Sequence, residues 1–98
     1  MVSGQLGIAD GELVHGGVAG EVGQALANMA ALLEGEGASL ASVVKTTVFL
    51  RHISDYDAMN EAYIEAFGDH RPARAAVAVA ELPRNALVEI EAWAHSPE

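Results

Sequence analysis

Arg71 to Ala94, RPARAAVAVAELPRNALVEIEAWA, constrains the fold more than any other stretch. Two apolar runs rich in Ala, Val and Ile, Ala73–Ala80 and Ala86–Ala94, flank Glu-Leu-Pro-Arg-Asn. That pattern predicts two strands separated by a turn. Each run carries charge: Arg74 in the first, Glu89 and Glu91 in the second. A charge in a largely buried strand needs a partner, a ligand or an interface.

The preceding chain supplies the rest of a small domain. Met1–Ile8 reads as a strand, Ala9-Asp10-Gly11 as a tight turn and Glu12–His15 as its return. In Gly20–Glu34 the residues Val22, Ala25, Leu26, Met29, Leu32 and Leu33 recur at helical spacing, with Glu21, Gln24 and Asn28 elsewhere on the wheel. Gly35 and Gly37 suit its end. Val43–Leu50, VVKTTVFL, is a strand by its β-branched content. Alternation puts Val44, Thr46, Val48 and Leu50 on one face, and Val43, Lys45, Thr47 and Phe49 on the other. A second helix is expected to start at an Ser54 cap with Asp57 three residues on, to bury Tyr56, Met59, Tyr63, Ala66 and Phe67, and to stop at Gly68. The order β-β-α-β-α-β-β predicts an α+β fold: one sheet, both helices on one face, the other face bare. Lys45, Thr47 and Phe49, or Glu89, Glu91 and Trp93, are candidates for that bare face.

With 98 residues the chain is one domain, and its 51% apolar content is high for so small a body. Another subunit is therefore expected to cover part of the surface. Five basic against fourteen acidic residues give a net charge of −9, which repels phosphate backbones and anionic lipid and disfavours nucleic acid or membrane as partner. There is no cysteine, and His15, His52, His70 and His95 show no ligand-like spacing, so no metal site is expected. Gly4 with Gly7 has no helix behind it and does not make a phosphate loop. No basic leader or bilayer-length apolar run is present, and a cytoplasmic protein is the default expectation.

SGQLGI, VVKTTVFL, DYDAMNEAY and the whole Arg71–Ala94 stretch, with the leucine-bearing helix between them, resemble in order the reactive intermediate deaminase (Rid) family, also labelled the L-PSP endoribonuclease family. The resemblance covers Ser3 to Ala94. It implies a single chorismate-mutase-like domain over residues 1–98 that forms a homotrimer, with bare sheet faces packed around the threefold axis and clefts between subunits. It implies cofactor-free hydrolysis of small 2-imino acids, or their enamine tautomers, to 2-keto acids and ammonia. Arg74 matches the arginine that holds the substrate carboxylate, and Glu89 the glutamate that positions the attacking water. By the same resemblance Asn60 matches an asparagine near the cleft, Gly4 falls in the segment whose backbone lines it, and Ala76 stands where the family often has Cys, Ser or Thr. The family's N-terminal strand and turn, with a tyrosine, has no counterpart, and the chain is expected to start at the next strand.

Residue chemistry agrees. An arginine fork binds a carboxylate through two parallel charge-assisted hydrogen bonds. A protonated imine needs little beyond an oriented water and a carboxylate to accept its proton. If the last two strands form a simple hairpin turning near Arg84, Arg74 faces Ala94 and Glu89 lies about five residues away, on the order of 16 Å. Two copies of the chain, not one, would then serve one small substrate. Taken without the resemblance, Arg74 reads as half of an interface salt bridge, Glu89 as paired with Lys45 or Arg74, and Asn60 as a polar side chain facing solvent beside the apolar stripe of its helix. The alternative function is a trimer that binds a small carboxylate without turnover, which Ala76 favours. Ribonuclease is a distant third, opposed by the charge.

Overall fold

The computed structural model describes residues 2–95. Val43–Leu50 forms β4, the strand around which the rest is arranged. The four-stranded sheet has the order β1-β6-β4-β5, with β1 at Val2–Gln5, β5 at Ala73–Ala78 and β6 at Val88–Ala94. β4 and β5 are parallel, and β6 is antiparallel to both β1 and β4. Parallel neighbours need a crossover, and helix α2, Tyr56–Phe67, supplies it. Helix α1, Gly17–Gly35, connects the N-terminal strands to β4.

Four expectations are corrected. First, β5 and β6 are not a hairpin: β4 lies between them, so Arg74 pairs through Thr46 with Ala92, not with Ala94. The connection runs past the end of β4, where Val79 N–H donates to Leu50 O and Arg51 N–H to Leu87 O. Second, Met1–Ile8 is not one strand, and Met1 lies outside the described residues. β1 ends at Gln5, and Ile8–Ala9 (β2) pairs with Glu12–Leu13 (β3) in a separate two-stranded ribbon. The break sits where Asn28 of α1 donates to both Leu6 O and Ile8 O. Gly7 packs there against the α1 backbone, and a Cβ would lie 2.6 Å from Glu21 Cα. The Asp-Gly turn holds, with Asp10 and Gly11 both at positive φ. Third, Val43 is buried and Val44 exposed, the reverse of simple alternation. The β4–β6 register shifts between Val43 and Lys45, and this bulge flips the first residues of the strand. Fourth, Ser54 caps nothing: a short turn, Ile53–Asp55, precedes α2, whose N-cap position is Asp55 without a side-chain bond.

Both helices pack on one face of the sheet, and their stripes close the core: Val22, Leu26, Met29, Met59, Val48, Leu50, Val88 and Ile90 are fully buried. Burial of such side chains contributes about 1.5–3 kcal/mol each. Leu32 and Ala66, placed in those stripes by periodicity, are exposed. Glu21 is buried instead, its Oε1 accepting from Leu87 N–H at 2.8 Å. α1 ends in a Schellman arrangement, Ala38 N–H to Leu33 O and Gly37 N–H to Glu34 O, with Gly37 at φ 78°. Among the described residues no helix covers the opposite face of the sheet. Register aligns Ala73, Lys45 and Trp93 in one row, Ala75, Thr47 and Glu91 in the next, and Val77, Phe49 and Glu89 in the third. Both candidate sets for the bare face therefore lie on it together. Among the described residues no helix is long and apolar enough to cross a membrane.

Candidate active site

Tyr56, Asn60 and Tyr63 stand at i, i+4 and i+7 on α2, which places them on one side of the helix. That side meets β5, the edge strand, at Arg74. Nη1 of Arg74 donates to Asn60 Oδ1 at 2.6 Å, and Nη2 donates to Tyr56 Oη at 2.7 Å. The guanidinium carbon lies 4.8 Å from the Tyr63 ring centroid and 5.5 Å from that of Tyr56. Both distances suit cation–π attraction. Tyr63 is itself held from below by a 2.7 Å hydrogen bond with the buried Thr46 hydroxyl. Burial pushes the Tyr63 phenol above the ordinary 10.0, against smaller opposing pulls from the Thr46 hydrogen bond and the Arg74 charge. Tyr63 is therefore a neutral phenol at physiological pH.

Among the described residues, every hydrogen-bond partner of this guanidinium is neutral. A guanidinium has five N–H donors, and the bonds to Asn60 and Tyr56 leave most of them for a ligand. A half-buried cation without a carboxylate is a ready seat for an anion. Beside it opens a cleft of about 360 Å³, lined by Asn60, Tyr63, Ile64, Arg71, Pro72 and Arg74. Ala76, two residues along β5, is half-buried opposite Val48 and packs against the core.

Glu89 stands elsewhere. It is half-buried on the bare face, opposite Phe49. Gly4 of β1 lies against it, and a Cβ there would collide with the Glu89 carboxylate. Lys45 is two rows away beside Trp93, and Arg74 points to the helix side. Neither of the ion pairs considered for Glu89 forms. Arg74 and Glu89 are separated by three positions along β4 and by two strand spacings, roughly 14 Å between Cα atoms, with side chains on opposite faces.

The structure thus brings Asn60 to Arg74, and Gly4 to Glu89, but does not unite the two pairs in one chain. Tyr56 and Tyr63 were legible only as members of a buried stripe. Their role as a cradle had one signal: their spacing around Asn60, the one polar residue on that side of α2.

A sequence model of the family described as Endoribonuclease L-PSP matches residues 1–96. The 2-iminobutanoate/2-iminopropanoate deaminase of Homo sapiens is 48% identical over 95 residues, 95% of this chain and 69% of its own. Among solved structures, RidA from the Antarctic bacterium Psychrobacter is 41% identical, with a TM-score of 0.87 over 92% of this chain and 74% of its own. TdcF of E. coli, crystallised with bound serine, is 34% identical, with a TM-score of 0.86 over the same shares, 92% and 74%.

Proposed function

The chain belongs to the reactive intermediate deaminase (Rid) family, the endoribonuclease L-PSP family of the matching sequence model, and on that premise we propose that it hydrolyses small 2-imino acids to 2-keto acids and ammonia at a site between subunits of a homotrimer. The observation that carries this reading is the Arg74 guanidinium, fixed by Asn60 and Tyr56 and, among the described residues, left without a carboxylate. The names of the relatives supply the reaction, and the serine bound by the E. coli relative is a small α-carboxylate ligand of the matching kind.

In this mechanism Arg74 grips the substrate carboxylate and Asn60 keeps the guanidinium in plane. Glu89 of a second copy orients a water and accepts its proton as the oxygen attacks the protonated imine carbon. The resulting carbinolamine takes that proton on nitrogen; as the C–N bond breaks, Glu89 accepts the hydroxyl proton, ammonia leaves and the oxygen derived from water becomes the keto oxygen. No electron acceptor is needed, since the imine carbon and the keto carbon are at the same oxidation level. Gly4 leaves the space that the Glu89 carboxylate occupies. The bare face, with Trp93 51% and Val77 45% exposed, supplies the apolar surface that a trimer would bury.

The test generates 2-iminobutanoate with a dehydratase, traps surviving imine with semicarbazide, and follows keto-acid release. Addition of the protein is expected to speed release and deplete the trapped imine, and Arg74→Ala to abolish both effects. Ala76 puts a methyl group beside Arg74 where a polar group could have served, which favours binding without turnover as the second reading. Stabilisation by 2-oxobutanoate with no acceleration of imine loss would establish that reading instead.

A further inference from the structure

Arg74 is not the only arginine on its cleft. Arg71 lines it too, with Ile64, Pro72 and the Tyr63 ring as apolar walls, and no carboxylate is among the lining residues. We propose that this cleft takes a second anionic group on Arg71, and that the substrates it suits are acidic 2-imino acids, the imines of four- and five-carbon amino dicarboxylates. The proposal rests on the reading of Arg74 as the seat of the first carboxylate.

The charge distribution is the first reason. Only five residues of this chain are Lys or Arg, against fourteen acids. Two of those five line one small cleft. Like charges brought together repel unless an anion lies between them. A monocarboxylate balances one of the two; a dicarboxylate balances both.

The bonding of Arg71 is the second reason. Its hydrogen bonds run from Nη1 alone, to Gly68 O and to His70 O in the turn that follows α2. Those bonds account for Nη1 but leave Nη2 and Nε available to the cleft. The same bonds hold the side chain in place, which lowers the entropy lost on binding. Spacing is the third reason. Arg71 and Arg74 are three residues apart across Pro72, roughly 10 Å between Cα atoms at strand rise. Both side chains line the cleft, and that separation leaves room for a short diacid between them. Its methylenes would rest on Ile64 and Pro72.

Calorimetric titration with the two product keto acids tests this. The wild-type protein is expected to bind 2-oxoglutarate at least tenfold more tightly than 2-oxobutanoate. Arg71→Gln is expected to erase that ratio, and Arg71→Lys, which retains the charge and controls for folding, to keep part of it. In turnover, the ratio of kcat/KM for 2-iminoglutarate to that for 2-iminobutanoate should fall at least tenfold in Arg71→Gln. Equal affinities in the wild type, or a preference that survives in Arg71→Gln, overturns the second-anion site while the Arg74 seat stands. Failure of both keto acids to bind the wild type overturns the seat as well.

Discussion

Arg74 is held in place by its neighbours in the way the proposed carboxylate seat requires. Two neutral acceptors fix its plane and two aromatic rings support it, without neutralising its charge. Lysine cannot reproduce that fork. Arg74→Lys is therefore expected to lower kcat/KM about 100-fold or more, about 2.7 kcal/mol, in the imine-trapping assay. Tyr63 carries a second prediction. Its folded pKa is raised above 10.0, so the native state holds the phenolic proton more tightly than the unfolded chain does. That contribution is complete below pH 10.0 and is lost as pH rises through the higher folded value. Denaturant midpoints should decline above that pH in the wild type and decline less in Tyr63→Phe. The variant loses the Thr46 hydrogen bond and should be about 1 kcal/mol less stable at neutral pH.

Elements position these residues through a few close contacts. β1 must approach β6 at Gly4, and the β1–β2 junction must approach α1 at Gly7, where a side chain has no room. The two sites should respond differently. Gly4→Ala displaces only the flexible end of Glu89, so it is expected to impair turnover more than 10-fold while melting stays within a few degrees of the wild type. Gly7→Ala strikes backbone, so it is expected to lower the melting temperature by several degrees or more. Asn28→Ala frees Leu6 O and Ile8 O and should cost about 1–3 kcal/mol, read as a lower urea midpoint. The helices and β4 were legible beforehand because their periods are local. The split of Met1–Ile8 was not, because it depends on an asparagine some twenty residues away reaching two carbonyls.

At the scale of the molecule, the separation of Arg74 from Glu89 sets the decisive experiment. If each site takes Arg74 from one copy and Glu89 from another, Arg74→Ala and Glu89→Gln should each be inactive alone. Unfolded, mixed in equal amounts and refolded, they should regain activity in about a quarter of the sites. No recovery would place both groups in one subunit or remove one of them from the chemistry. Trp93→Asp should lower the mass measured by light scattering, since it sets a charge on the apolar row beside Ala73 and Lys45.

The sequence alone determined the two helices, the β4 ribbon, the Asp-Gly turn, the arginine set in an apolar strand, and a family pattern dense enough to read from one chain. Each depends on neighbours within a few residues, through periods of 3.6 or 2 and the backbone freedom of glycine. Only the tertiary structure decided that β6 enters between β1 and β4. With β4 then lying between β6 and β5, Arg74 and Glu89 stand two strand spacings apart, and β5 takes the sheet edge beside α2. Strand order is chosen by hydrogen bonds and burial between segments tens of residues apart, and an apolar ribbon such as β6 can pair equally well with several neighbours until the whole core closes.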